Sequence, residues 1–242
     1  MKKVFLSITM TLVLSLSLQA QSNIQGYIDS GNQNLKDRNY KDAVTDFNKA
    51  LKEQPTDTAA LSGIIKAYLL TDDLKEAQKQ IDIAIKAYPN DAEFIFRRGI
   101  LNNKKSQFDK ASEDFNQALS LSTSNSQKVQ IYLNLGATQL LQGSFNLALE
   151  NYKVALELSP RNANIYNYKG YANYKLSLYA DAINDYNNAI DLDPNNAASY
   201  YNRGMAYLKT LDKLKSCADF HKSCQLGNIN ACKMIMSECT NR

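Results

Sequence analysis

A 34-residue period runs through most of this chain and constrains its fold more than any other feature. A glycine recurs at one phase of the period, and a small residue follows it twelve positions later. These pairs are Gly31 with Ala43, Gly99 with Ala111, Gly136 with Ala148, Gly170 with Ala182, and Gly204 with Ser216. A sixth copy has Ile65 in place of glycine, and all four prolines share one further phase. Self-similarity at such a period is typical of repeat architectures, in which each unit packs against its neighbours.

Aligned on this phase, the chain divides into six segments, with an insertion of three residues, 126–128, in the middle. The segments are 24–57, 58–91, 92–125, 129–162, 163–196 and 197–230. Within each half-segment the apolar residues follow helical spacing, as at Ala182, Tyr186 and Ala189, which predicts two amphipathic helices joined by a short turn. We expect the glycine of the first helix to face the alanines of the second, so that the two helix axes approach closely. Proline near the end of a segment stops its second helix.

This combination of glycine, alanines, aromatic residues and proline resembles the tetratricopeptide repeat, whose consensus also spans 34 residues. The resemblance covers residues 24–230 and implies an all-α fold, a right-handed α-solenoid of about six helix-turn-helix repeats. The departures from the consensus include Ile65 for glycine and Thr123 and Asn228 for proline. We expect residues 231–242 to form a C-terminal capping helix and tail.

The first twenty residues have the pattern of a secretory signal peptide. Lys2 and Lys3 precede an apolar run over residues 4–18, and Ala20 precedes a polar stretch, so we expect cleavage after Ala20. The apolar run is shorter than the roughly 20 residues that a spanning helix needs. The sequence therefore predicts an exported protein, periplasmic or secreted, with no stable membrane span after cleavage of residues 1–20.

Composition argues against nucleic-acid binding and against catalysis. Without Lys2 and Lys3 the formal net charge of +4 falls to +2, and no basic patch stands apart from acidic neighbours. The only histidine is His221, and the chain has no glycine-rich phosphate loop and no nucleophile elbow. We predict that the protein is not an enzyme, that it uses no cofactor and no metal, and that nucleic acid is not its partner.

Position 7 of the repeat, where this family normally has leucine, carries a basic residue in three repeats, and an aspartate follows 16 positions later. These pairs are Arg98 with Asp114, Lys169 with Asp185, and Arg203 with Asp219. Two repeats with apolar residues at position 7 have uncharged residues, Gln80 and Asn151, at the later position. Because the charges occur together, except that Ser30 precedes Asp46, we predict structural ion pairs between the helices. An anion-binding row is the alternative.

The four cysteines lie in the last 26 residues and are spaced symmetrically about Asn228. If residues 227–230 turn the chain and a helix starts near Ala231, an antiparallel hairpin pairs Cys224 with Cys232 and Cys217 with Cys239. A bond within either helix would span about 10.5 Å between Cα atoms, which is beyond the disulfide limit. The predicted bonds would close the end of the repeat array. Free buried thiols and a zinc site are the alternatives.

The family resemblance places ligands on the concave surface, at positions 2, 5, 9 and 12 of each first helix. In repeats 5 and 6 we assign partner binding to Asn164, Asn167, Tyr171, Tyr174, Tyr201 and Met205. Tyrosine, asparagine and methionine make an adaptable contact surface. No repeat has the lysine and asparagine pair by which chaperone-binding members of the family hold a C-terminal carboxylate.

The function that we predict is a non-catalytic scaffold that binds a protein or peptide on this concave surface. One alternative is a structural or assembly component of an envelope complex, which would pack through its convex side. Another is a binder of a small ligand or a glycan.

Overall fold

The computed structural model describes residue 21 and residues 23–239, so the predicted signal peptide, residues 1–20, lies outside the described residues. The helices are α1 (23–36), α2 (Tyr40–Glu53), α3 (Thr58–Leu70), α4 (Leu74–Ala87), α5 (Ala92–Lys104), α6 (Phe108–Leu121), α7 (Asn125–Leu141), α8 (Phe145–Leu158), α9 (Ala163–Lys175), α10 (Tyr179–Leu192), α11 (Ala197–Lys209), α12 (Lys213–Gln225) and α13 (Ile229–Met234). No strand occurs in the described part of the chain. The predicted all-α solenoid of helix-turn-helix repeats is confirmed, and each predicted repeat contains one helix pair.

The chain forms two compact units that divide between Leu121 and Ser122. In the first unit, α1 to α6, the core is built from residues such as Phe47, Leu61 and Ile81. In the second unit, α7 to α13, consecutive helices again pack against each other around Tyr152 and Tyr186. The insertion at 126–128 is helical and makes α7 17 residues long, whereas α9 and α11 have 13.

Each repeat after the first begins with a helix whose N-cap side chain accepts a hydrogen bond from a backbone N–H. In four cases this N-cap residue is an aspartate or an asparagine, two or more positions after the end of the preceding helix. Asp57 accepts a hydrogen bond from Ala60 N, and Asn162 accepts one from Ile165 N. Asp91 and Asn196 accept the corresponding hydrogen bonds from the first turns of α5 and α11. Each of these residues lies two positions after one of the four prolines. The proline ends one helix and the Asx residue starts the next, which explains why both recur with the period.

The repeated glycine lies against an aromatic ring of the second helix. In the last repeat the small residue twelve positions later also faces the glycine, because Ser216 Oγ donates to the Gly204 carbonyl oxygen at 2.9 Å. A Cβ atom added to Gly99 would lie 2.6 Å from Cε1 of Phe115, and one on Gly170 would lie 2.7 Å from Cε1 of Tyr186. The ring belongs to the second helix of the same repeat. The second repeat has no such ring, because Ile81 occupies the corresponding position, and there Ile65 replaces the glycine without a clash.

The C-terminal cap begins earlier than predicted. Asn228 accepts a hydrogen bond from Ala231 N, so α13 starts at Ile229, not near Ala231. It continues as a π-helix, Ile235–Cys239. Within the described part of the cap, Ala231 is the one buried residue. The cap therefore has one fully buried side chain, and Met234 and Ile235 are half-buried.

Candidate partner-binding face

The six residues assigned to partner binding lie on α9 and α11, which contact each other in the second unit. Asn164 and Tyr171 are exposed, and the other four are half-buried. The structure therefore brings the six residues onto two neighbouring first helices, and it gives them different degrees of access to a partner.

Asn167 is held between the two helices. Its Oδ1 accepts hydrogen bonds from Ser199 Oγ at 3.3 Å and from Asn202 Nδ2 at 3.1 Å. Both donors lie on α11, so this amide links α9 to α11 and sets their spacing. The contact gives Asn167 a positioning role next to Tyr171, whatever it contributes to a partner.

The three tyrosines of the face differ in how far they are buried. Tyr174 packs against Tyr186 and lies with its ring 5.6 Å from that of Tyr179. Burial raises the pKa of the Tyr174 hydroxyl, and the neighbouring phenols add to the rise. The Tyr201 ring lies 5.9 Å from the Phe220 ring. Tyr171 is 36% exposed. Among the three, Tyr171 is thus the side chain that a partner would meet first.

Met205 lines a groove next to the cap. Leu208, Lys209, Leu211, Lys213 and Glu238 complete it, and its volume is about 480 Å³. Leu211 is 89% exposed and has a left-handed backbone, with φ of 62°. The groove offers apolar side chains and two ammonium groups to a bound segment.

The predicted charge pairs are direct contacts between the two helices of a repeat. Arg98 Nη2 lies 2.6 Å from Asp114 Oδ1, and Lys169 Nζ lies 2.6 Å from Asp185 Oδ1. Arg203 contacts both oxygens of Asp219. The three aspartates are buried. In each pair the aspartate is buried and the cation is partly exposed, so the positive charge is neutralised within its own repeat.

Sequence reasoning missed an asparagine that completes this network. Asn102 and Asn173 each donate to the second oxygen of the buried aspartate, at 2.7 Å, and Asn34 donates to Asp46 at 3.0 Å. The signal was present in three repeats, where the asparagine lies twelve positions before the aspartate, whereas Tyr207 has this place before Asp219, whose two oxygens both contact Arg203. The side chain satisfies an oxygen that the cation does not reach, which a buried carboxylate requires.

Burial raises the pKa of Asp46 and of Asp185, and hydrogen bonds to the carboxylate lower it. The pKa therefore depends on how far the hydrogen bonds offset burial. Burial raises the pKa of Asp185 above its ordinary value, and the bonds from Lys169 and Asn173 offset only part of the rise. For Asp46, burial acts in the same direction, but hydrogen bonds from Lys49 and Ser30 lower its pKa below the ordinary value.

The cysteines form the two bonds that the spacing favours. Cys217 bonds Cys239 with Cα atoms 5.6 Å apart, and Cys224 bonds Cys232 with Cα atoms 4.9 Å apart. Both bonds join α12 to the cap. The two disulfides thus attach the cap to α12, in addition to the contact made by Ala231, the buried residue of the cap.

Potential metal ligands do not cluster in the described residues. No group of three histidine, cysteine, aspartate or glutamate side chains there could hold a metal ion. His221 is exposed on α12, apart from the face described above. No helix in the described ranges is long and apolar enough to cross a membrane.

Two family models match the chain. The model described as TPR repeat matches residues 140–177 and 179–210. The model described as Tetratricopeptide repeat protein 21 second ARM domain matches residues 4–145, which is more than half of the 242 residues.

Curated relatives match over part of their length. BBSome complex member BBS4 of Bos taurus is 30% identical over 122 residues, which are 50% of this chain and 23% of that protein. The Tetratricopeptide repeat protein 4 homolog of Dictyostelium discoideum is 28% identical over 161 residues, 66% of this chain and 37% of that protein. The chain therefore spans well under half the length of these relatives.

Solved structures share the fold at low identity. PilW, described as a widely conserved type IV pilus biogenesis factor, has a TM-score of 0.80 at 15% identity, covering 88% of this chain and 98% of that chain. Pseudomonas aeruginosa pilF has a TM-score of 0.76 at 17% identity, covering 91% and 99%. At these identities the likeness concerns the arrangement of helices.

Proposed function

The chain belongs to the tetratricopeptide-repeat family, and on that premise we propose that it is an exported, non-catalytic scaffold that binds a protein partner on the α9–α11 face. The observation that carries the proposal is the set of phenol, amide and thioether side chains on these two contacting helices, from Asn164 to Met205. Such side chains combine apolar contact area with hydrogen-bonding groups, which is the composition typical of the core of a protein interface.

Export is supported by the N-terminal pattern and by the cysteines. Lys2 and Lys3 followed by the apolar run over 4–18 fit a secretory signal. Two disulfides persist in an oxidising compartment and are rare in a reducing one. We propose that the protein works in the periplasm or outside the cell, as part of an assembly that this face recruits.

Site-specific photo-crosslinking tests which face is used. A photoreactive amino acid is placed at Tyr171, and the matched control is placed at Leu147, which is 56% exposed on the second helix α8. We expect a covalent protein adduct from position 171 in the producing cells and none from position 147. Adducts from position 147 alone would indicate that the protein packs through its second helices, as a structural component would.

Alanine substitutions are a second test of whether the α9–α11 face binds the partner. Tyr171→Ala combined with Tyr201→Ala is expected to abolish recovery of the crosslinked partner, whereas Leu147→Ala is expected to leave it unchanged. Circular dichroism of each variant shows whether the helices are retained. Unchanged recovery by the folded double variant would contradict the assignment of the α9–α11 face.

A further inference from the structure

The first helices of the second unit carry no acidic residue. α7, α9 and α11 contain no aspartate or glutamate, and every acidic residue of this unit lies on a second helix, in a turn or in the cap. In the first unit, by contrast, Asp29 lies on α1 and Glu93 on α5. The second unit therefore keeps its acidic residues off its first helices, whereas its basic residues lie on both sets.

Two exposed lysines occupy matching places on this acid-free face. Lys175 is the last residue of α9, and Lys209, 34 positions later, is the last residue of α11. Neither forms an ion pair with a described residue. The other two cations of these helices, Lys169 and Arg203, are each neutralised by the aspartate of their own repeat. A lysine favours the C-terminal end of a helix, but this does not explain why carboxylates are missing from all three helices.

The surroundings of the two lysines suit a peptide. Lys175 Nζ lies 5.3 Å from the centre of the Tyr171 ring, so a carboxylate at this ammonium group would also meet the phenol face. Lys209 lies at the groove beside Met205 and Leu208. Glu238 of the cap is the one carboxylate of that groove, and it makes no ion pair with Lys209.

We infer that the acid-free face of α7, α9 and α11 recognises an acidic, extended segment of the partner, with carboxylates at Lys175 and Lys209. The inference rests on the proposed function and specifies the chemistry of the partner. Neighbouring packed helices lie about 10 Å apart. In a polyproline II segment, residues three positions apart point the same way and are separated by about 9.3 Å. We therefore expect two acidic residues three positions apart in the segment to reach the two lysines, and its apolar side chains to enter the groove.

Selection from random peptides tests this without assuming a partner. A phage-displayed dodecapeptide library is selected on the full chain and counter-selected on the Lys175→Gln, Lys209→Gln double variant. We expect the recovered peptides to be rich in aspartate and glutamate, with acidic residues three positions apart. Fluorescence anisotropy is expected to show binding roughly three- to tenfold weaker for the double variant, and less difference at high salt.

The matched control removes two lysines from second helices of the same unit, Lys153→Gln with Lys222→Gln, and therefore causes the same change in net charge. This control is expected to bind the selected peptides as the unaltered chain does. Equal loss in both double variants, or selected peptides without an excess of acidic residues, would overturn the inference. So would binding to phosphatidylglycerol vesicles that depends on Lys175 and Lys209 and competes with the peptides, since that would indicate a lipid surface.

Failure of this inference can be distinguished from failure of the proposed function. If position 171 still gives a protein adduct, but mass spectrometry places the crosslink in a neutral or basic segment of the partner, the scaffold proposal stands and the acidic segment is excluded.

Discussion

Arg203 holds both carboxylate oxygens of Asp219 across the two helices of the last repeat, with Nε 2.8 Å from Oδ2 and Nη2 2.7 Å from Oδ1. The same guanidinium donates from Nη1 to Asn187 Oδ1 at 2.6 Å, and Asn187 belongs to the preceding repeat. Burial alone would lower the pKa of Arg203, but Asp219 raises it above its ordinary value. One side chain thus connects α10, α11 and α12.

Replacing Arg203 by methionine is expected to lower the free energy of unfolding by about 3 kcal/mol, because a buried carboxylate is left without its cation. Urea unfolding followed by circular dichroism measures the loss. The control is Lys153→Met, which removes an exposed partner of Glu150 and is expected to cost less than about 1 kcal/mol. Similar losses in both variants would show that the buried pair contributes no more than a surface pair.

Substituting alanine for Gly99 is expected to cost about 1 to 3 kcal/mol, because the added methyl group would overlap the Phe115 ring. Gly26→Ala is the matched control. Gly26 lies inside α1 with no atom within 4 Å of an added Cβ, so alanine there is expected to stabilise by about 0.5 to 1 kcal/mol. Thermal melts of the two variants should therefore shift in opposite directions, and a gain from Gly99→Ala would contradict the close contact.

The sequence was sufficient to predict contacts that lie within one repeat or across the terminal hairpin. The helix pairs, the partners of Arg98 and Lys169, and the pairing of the cysteines all follow from spacing along a helix or across a hairpin. Such contacts are set by local geometry, which recurs with the 34-residue period.

Contacts between consecutive repeats could not be predicted in this way. Gly63 lies outside the repeated phase, yet a Cβ added there would overlap the ring of Phe47, in the preceding repeat. The amide oxygen of Asn167, a residue assigned to partner binding, accepts a hydrogen bond from Ser199 on the next first helix, which the sequence did not indicate. Both facts depend on how one repeat packs on another, and a repeat consensus does not encode that packing.

Removing the disulfides is expected to release the cap selectively. The cap fully buries only Ala231 among its described residues, so we expect the bonds to contribute much of its attachment. In the chain-entropy model, the bonds from Cys224 and Cys217 contribute about 2.5 and 3.4 kcal/mol, respectively. After reduction, hydrogen exchange measured by mass spectrometry should accelerate in α13 and α12 and stay unchanged in α8. The variant with all four cysteines replaced by serine serves as control, because the reductant should not affect it. Equal exchange before and after reduction would show that packing alone holds the cap.

Removing the hydroxyl of Tyr186 is expected to stabilise the protein. Tyr152 and Tyr186 are fully buried, and neither hydroxyl oxygen has a hydrogen-bond partner among the described residues. The equivalent positions of other repeats hold Phe115 and Phe220. Tyr186→Phe should therefore raise the free energy of unfolding by about 1 kcal/mol, since it removes an unsatisfied buried group. Tyr186→Ala, which empties the site, should lower it by about 3 to 5 kcal/mol. A loss on Tyr186→Phe would indicate that the hydroxyl is satisfied in solution.

The same two tyrosines predict how stability depends on alkaline pH. Burial raises the pKa of Tyr152 and of Tyr186 well above the 10.0 of an unperturbed tyrosine. Above pH 10 the unfolded chain therefore loses these protons while the folded chain keeps them, and the folded state becomes less stable as pH rises. Each group contributes a loss of up to about 1.4 kcal/mol per pH unit, and below pH 10 neither contributes any. Urea unfolding between pH 9 and pH 12 should show a shallower decline for the Tyr152→Phe, Tyr186→Phe double variant than for the unaltered chain. A control with Tyr171→Phe, which removes an exposed phenol, should keep the original slope, and identical slopes in all three proteins would mean that the buried phenols ionise freely.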